Sequence, residues 1–274
     1  MGLRMKKIFI VFCLMLSTLT YATDWNSTAA INRVNNIGSK ILKANNVVQP
    51  IQFKVSSEDT VNAYADINKE IHVYKGLLDN VETDDELAGV ISHEMGHIIN
   101  GHCAKQGIVN AGIIGVTSIM QNAIAKSITQ ELATSKISRN DEFEADLTGI
   151  DLMTKANYDP KAMISLLNKI SSSYIDFASS HPSGEKRLLN IYNYIEYNYP
   201  QKLKTTYNTT SYKNALLVLN PTVEQRKASK RLSAKYERQQ KKLLAKKEKR
   251  MKKMSRYNSV WDSYYASLQM ISGN

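Results

Sequence analysis

The stretch Thr83-Asp84-Asp85-Glu86-Leu87-Ala88-Gly89-Val90-Ile91-Ser92-His93-Glu94-Met95-Gly96-His97 decides how the rest of the chain is read. Thr83 with Glu86 three residues on is a capping box that starts a helix running to about Asn100. Leu87, Val90 and Ile91 make its first turns apolar, so this helix packs into a core with its histidines near the far end. His93 and His97, four residues apart, project from one face about a turn apart. Two imidazoles so placed can hold one zinc, and Glu94 beside them can reach a water that the metal activates.

Zinc in a catalytic site takes three protein ligands and keeps one open position. The extended motif with a glycine and a third histidine would need them at positions 100 and 103, which are Asn100 and Cys103. His102 stands one residue out of register; at about 100° per residue it should point away from the His93/His97 face, as a structural residue. A third ligand must come from elsewhere, most plausibly from an acidic residue on another helix. Glu142 and Asp146, four apart, offer either an ordinary acidic helix face or a metal ligand with a carboxylate behind it that fixes a histidine tautomer.

Upstream, Ile31, Val34, Ile37, Ile41 and Leu42 repeat at helical spacing over 26–45. After Pro50 the period changes to two: Ile51, Phe53 and Val55 alternate, followed by short extended runs at 61–65 and 70–74 around the turn-prone Asp66-Ile67-Asn68. These are expected to form a small, largely antiparallel sheet. Downstream come an apolar segment at 111–120 and helices near 122–134, 139–156, 160–172 and 184–197, with Asp159-Pro160 starting the third. Strands first and helices afterwards make the fold α+β rather than doubly wound.

The charge is uneven. Of 36 Lys+Arg against 25 Asp+Glu, residues 226–256 hold 15 basic and two acidic, a local +13. Arg4, Lys6 and Lys7 precede an apolar run from Ile8 to Leu19 with small residues after it, the pattern of a secretory signal cleaved after Ala22. What remains, 23–225 with 257–274, is mildly acidic at −5. Expected divisions are 1–22 signal peptide, 23–220 a domain carrying the candidate metal site and 221–274 basic helical extension. Cleavage would remove Cys13, leave Cys103 as the sole cysteine and make an internal disulfide impossible. The expected location is periplasmic or exported, peripheral to a membrane through the basic segment. That segment carries Leu232, Tyr236, Leu243, Met251, Tyr257 and Trp261 at helical spacings, and its partner is expected to be an anionic membrane surface or the outer-membrane assembly machinery. Nucleic acid comes last, because an exported protein meets little of it.

The chain resembles the gluzincin metallopeptidases that include the CAAX prenyl endopeptidase and HtpX, and within them the exported soluble BepA- and LoiP-like branch. The resemblance is carried, in the family's order over about 47–195, by Val61 to Ala65, Ile71-His72-Val73-Tyr74 with Gly76-Leu77-Leu78, the His93 to His97 motif, Arg139 with Glu142 to Asp146, Tyr158-Asp159-Pro160, and Ser180-His181-Pro182 with Arg187-Leu188. It implies a zincin-like fold and one zinc per chain, held by His93, His97 and Glu142, with Glu94 as general base and Asp146 behind a ligand. It also implies that His181 is either a gating ligand or a transition-state donor, and that an extended substrate binds near Asn62, Ala63 and Tyr64. The expected function is hydrolysis of peptide bonds in unfolded or misassembled envelope proteins. The alternative is a chaperone-like assembly factor for outer-membrane proteins whose zinc site is latent or structural.

Overall fold

The structure is a computed structural model and describes residues 28–103, 138–173, 181 and 184–272. The expected signal peptide, the apolar segment 111–120 and the helix near 122–134 lie outside the described residues. Helix α1 (Thr28–Asn45) buries Val34, Ile37 and Ile41 of the expected stripe together with Ala30, while Ile31 is exposed and Leu42 half-buried. Three strands follow, β1 (Gln52–Ser56), β2 (Ala63–Ala65) and β3 (Glu70–Tyr74), in the order β1-β3-β2. Ile71 and Val73 are fully buried on one face of the central strand. On the other face Tyr64 and His72 stack with ring centroids 4.5 Å apart.

The sheet is mixed rather than largely antiparallel. β2 and β3 form the antiparallel pair around the turn, where Asp66 Oδ1 accepts from Glu70 N–H and Lys69 takes φ 65°. β1 runs parallel to β3. Alternating apolar residues reveal a strand but not its direction. Here the chain between β1 and β2 is long enough to cross β3, which leaves β2 at the edge.

After a short helix α2 (Lys75–Asn80) comes α3 (Asp84–Ile99), buried from Glu86 to Ile98 on all sides. Its cap differs in detail from a capping box. Thr83 Oγ1 accepts from Glu86 N–H at 3.1 Å, but the Glu86 carboxylate accepts from Glu82 N–H, Ser165 Oγ–H and Lys169 instead. Around α3 pack α4 (Arg139–Lys155), α5 (Lys161–Ser173) and, through α4 and α5, α6 (Glu185–Asn198).

The sequence reading passed over α7 (Pro200–Lys204) and α8 (Thr210–Ala228), which runs through position 220 and buries Tyr212, Ala215, Leu219 and Val223. The buried Lys161 ammonium joins α5 to the end of α7, donating to the carbonyls of Lys202 and Thr205. Last is α9 (Lys230–Ser272). Leu243 and Leu244 pack against the core and Tyr236 OH donates to the Asn193 carbonyl of α6. Among the described residues no helix is long and apolar enough to cross a membrane.

Candidate metal centre

Two helices build the centre, and one glycine sets their separation. A Cβ at Gly96 would lie 2.6 Å from the Ala145 carbonyl oxygen, so only glycine lets α3 and α4 come this close. The crossing carries the acidic face of α4 to the histidine face of α3. Ser138 caps α4 with a full capping box to Asp141, which fixes where Glu142 begins to point inward.

His93, His97, Glu142 and His181 come together, all buried, each offering one atom within 4.8 Å of the others. His93 Nε2 lies 3.1 Å from His97 Nε2, 3.3 Å from His181 Nδ1 and 3.4 Å from Glu142 Oε2. Glu142 Oε1 lies 3.3 Å from His97 Nε2 and 3.2 Å from His181 Nδ1. Ligand bonds of about 2.0–2.1 Å around a tetrahedral zinc put neighbouring donor atoms about 3.3 Å apart. The donor set therefore fits zinc in chemistry and in spacing. Charge agrees in sign: three buried carboxyl groups, Glu94, Glu142 and Asp146, stand beside a single guanidinium, Arg187.

Behind the donors, Asp146 Oδ1 lies 3.0 Å from His93 Nδ1. Arg187, from the first turn of α6, donates to both Asp146 oxygens at 2.7 and 2.8 Å and pairs with Glu142 Oε2 at 2.7 Å. Burial opposes ionisation of Asp146, yet Arg187 and His93 hold its carboxyl below the ordinary value. Burial likewise opposes ionisation of Glu142, and His181, His93 and His97 hold it low. Burial also works against a charged His93, but Asp146 and Glu142 push it up to about 10. His97 is pulled down to about 3 by burial, against the pull of Glu142. Burial pushes the Glu94 carboxyl above its ordinary value.

His181 Nε2–H donates to the Ala63 carbonyl at 3.4 Å and lies 3.5 Å from Glu94 Oε1. The Ala65 backbone works weakly against that rise of the Glu94 carboxyl. The outer edge of β2 thus presents main-chain groups of Ala63 and Ala65 to the cluster, while the Asn62 carbonyl accepts from Tyr74 N–H and Tyr64 lies on His72.

Two residues took on roles that the sequence reading did not give them. The sequence places Arg187 only within a motif, although three carboxyl groups buried together require a cation among them. His102 does not point away from the histidine face. α3 ends at Ile99, Gly101 takes φ 72°, and the turn brings His102 Nδ1 to 3.0 Å from His97 Nδ1. The extrapolation at 100° per residue failed because the helix had already stopped. Asn100 closes its end, donating to the Gly96 carbonyl and Thr148 Oγ1. Burial pushes the Cys103 thiol up to about 12, which makes it a poor ligand or nucleophile.

Several known proteins are similar in sequence to part of this chain. The profile described as peptidase family M48 matches residues 29–195. Metalloprotease LoiP of Escherichia coli is 32% identical over 157 residues, covering 52% of this chain and 62% of LoiP. Metalloprotease YcaL of the same organism is 30% identical over 173 residues, 56% of this chain and 66% of YcaL. The beta-barrel assembly-enhancing protease of Yersinia pestis is 25% identical over 178 residues, 57% of this chain and 37% of that protein. The chain thus spans less than two thirds of these relatives' lengths.

Proposed function

This chain belongs to peptidase family M48, and from that premise we propose that it is a zinc-dependent endopeptidase that cleaves unfolded or misassembled proteins of the cell envelope. The observation that carries the reading is the cluster of four donor atoms at tetrahedral spacing with Glu94 against the same opening. His93, His97 and Glu142 would hold one zinc in a zincin-like fold, and Asp146 would accept the Nδ1–H of His93. Zinc in that position supplies a Lewis acid and makes water nucleophilic at neutral pH.

Glu94 takes the proton of the attacking water and passes it to the leaving amine, and a carboxyl raised by burial suits both steps. An extended substrate would add to the β2 edge near Asn62, Ala63 and Tyr64, bonding to the outward main-chain groups of Ala63 and Ala65. Such recognition reads backbone more than side chains and fits unfolded targets. His181 now uses the Ala63 carbonyl and stands beside Glu94, which favours the gating role over that of donor: it must withdraw before a substrate strand enters.

The test is metal content and casein cleavage for wild type beside Glu94→Gln. The variant should bind zinc and not cleave; full proteolysis by it would sink the assignment. Because His181 closes the site at rest, the chaperone-like reading keeps a specific support. Chelation separates the two, since loss of assembly-promoting function with the fold intact favours the enzyme and indifference to chelator favours the scaffold.

The signal pattern and the basic extension support a periplasmic or exported protein held at an anionic surface. Arg231, Lys235, Arg238, Lys242 and Lys249 lie exposed along one face of α9. Near an anionic bilayer each basic residue contributes about 1 kcal/mol. Reversing Arg231, Lys235 and Arg238 to Glu should therefore release the protein from phosphatidylglycerol vesicles, and undiminished binding would refute the surface role. The name of the beta-barrel assembly-enhancing relative supports a β-barrel assembly machinery as the other partner.

A further inference from the structure

A histidine that binds a metal through Nε2 carries its proton on Nδ1, and what faces that proton fixes the ring. For His93 the partner is Asp146. For His97 it is another histidine, 3% exposed, whose Nδ1 lies 3.0 Å away. Two imidazole nitrogens that close need one proton and one lone pair between them. With His97 Nε2 turned to the metal, its Nδ1–H must be the donor, so His102 accepts at Nδ1 and keeps its own proton on Nε2. That Nε2 lies 3.5 Å from Glu144 Oε2 and 3.6 Å from Asp141 Oδ1. Only this tautomer leaves every contact attractive.

The line continues outward. Glu144 also pairs with Arg250 Nη1 and with Lys246 Nζ at 3.6 Å, both from α9. Arg250 lies beside the end of α3 as well, its Nη2 3.4 Å from the Asn100 carbonyl.

We propose that His102 is the positioning residue of the zinc site, holding the His97 ring through Nδ1 and held in turn by Glu144, which Arg250 anchors to the C-terminal helix. The inference rests on the reading of His93, His97 and Glu142 as zinc ligands. It gives α9 a second task besides its exposed face: the same helix that offers cations to a surface steadies a metal ligand about three residues inward.

The test uses the full chain and reads zinc affinity by competition with a chromophoric chelator, the visible spectrum of the Co2+-substituted protein, and thermal unfolding of the metal-free protein. His102→Leu keeps volume and removes the acceptor. It should weaken zinc binding about 10- to 100-fold and shift the cobalt bands, with the metal-free unfolding midpoint unchanged within a few degrees. His102→Asn, whose amide oxygen can stand where Nδ1 stood, should stay within about threefold of wild type. Wild-type zinc affinity in His102→Leu, or equal loss in the Asn and Leu variants, would overturn the proposal. Should the Leu variant fail to fold, Glu144→Met carries the test: zinc binding weaker by about three- to tenfold supports it and no change refutes it. His97→Ala separates the two levels of argument. If it binds zinc as tightly as wild type, the ligand set itself is wrong; if it loses zinc while His102→Leu does not, only the positioning role is.

Discussion

At the metal cluster Glu142, Asp146, Arg187 and three histidines are removed from water, whereas along α9 Arg231, Lys235, Arg238, Lys242 and Lys249 remain in it. Both regions are dense in charge. In the first, every charge meets a counter-charge or a donor within about a bond's reach, because an unpaired buried ion costs several kcal/mol. In the second, solvent does that work and the cations are left available to a partner. The α3/α4 crossing therefore has one tolerable geometry, while the open face of α9 tolerates many sequences that keep its sign. The docked side of α9 lies between these extremes, with Lys247 pairing Asp151 and donating to Tyr194 OH and the Leu147 carbonyl.

The comparison predicts a graded series. Glu94→Gln should reduce peptide cleavage about 10²- to 10⁴-fold, measured as initial rates at equal zinc occupancy. Arg187→Met strands two buried carboxylates and should lower the stability of the metal-free protein by about 3–5 kcal/mol in denaturant unfolding. A stability close to wild type would mean that the cluster is less dry than its burial implies. Gly96→Ala forces α4 outward and should cost about 1–3 kcal/mol, and it should weaken zinc binding as Glu142 retreats. Within α9 the two faces should part company. Lys247→Met on the docked side should cost about 1–3 kcal/mol by loss of charged hydrogen bonds, and Lys249→Gln on the open side less than about 0.5 kcal/mol. Equal effects of the last two would erase the distinction between docked and open faces.

Much of this was legible along the chain because it is local. The 3.6-residue period marked α1, the cap at Thr83 marked the start of α3, and four-residue spacing put His93 with His97 and Glu142 with Asp146 on single faces. The spacing of Glu142 and Asp146 left a metal ligand and an ordinary acidic face equally open until the resemblance to a family chose between them, and His181 was reached only through that resemblance, since nothing near it says that a loop histidine returns to α3. The mixed sheet was misread as largely antiparallel, and His102 was misdirected by extending a helix past its last turn.

The sequence by itself thus determined the helix that carries the donor pair, the chemistry of that pair and the segregation of positive charge into the C-terminal segment, all of which follow from neighbours within a few residues. The tertiary structure decided the direction of β1, the approach of α4 permitted by Gly96, the bridge of Arg187 between two carboxylates and the return of His102 to His97. Those contacts join residues that the period of a helix or strand does not relate. Burial selected them, because a charge removed from water must find its partner wherever the fold brings one.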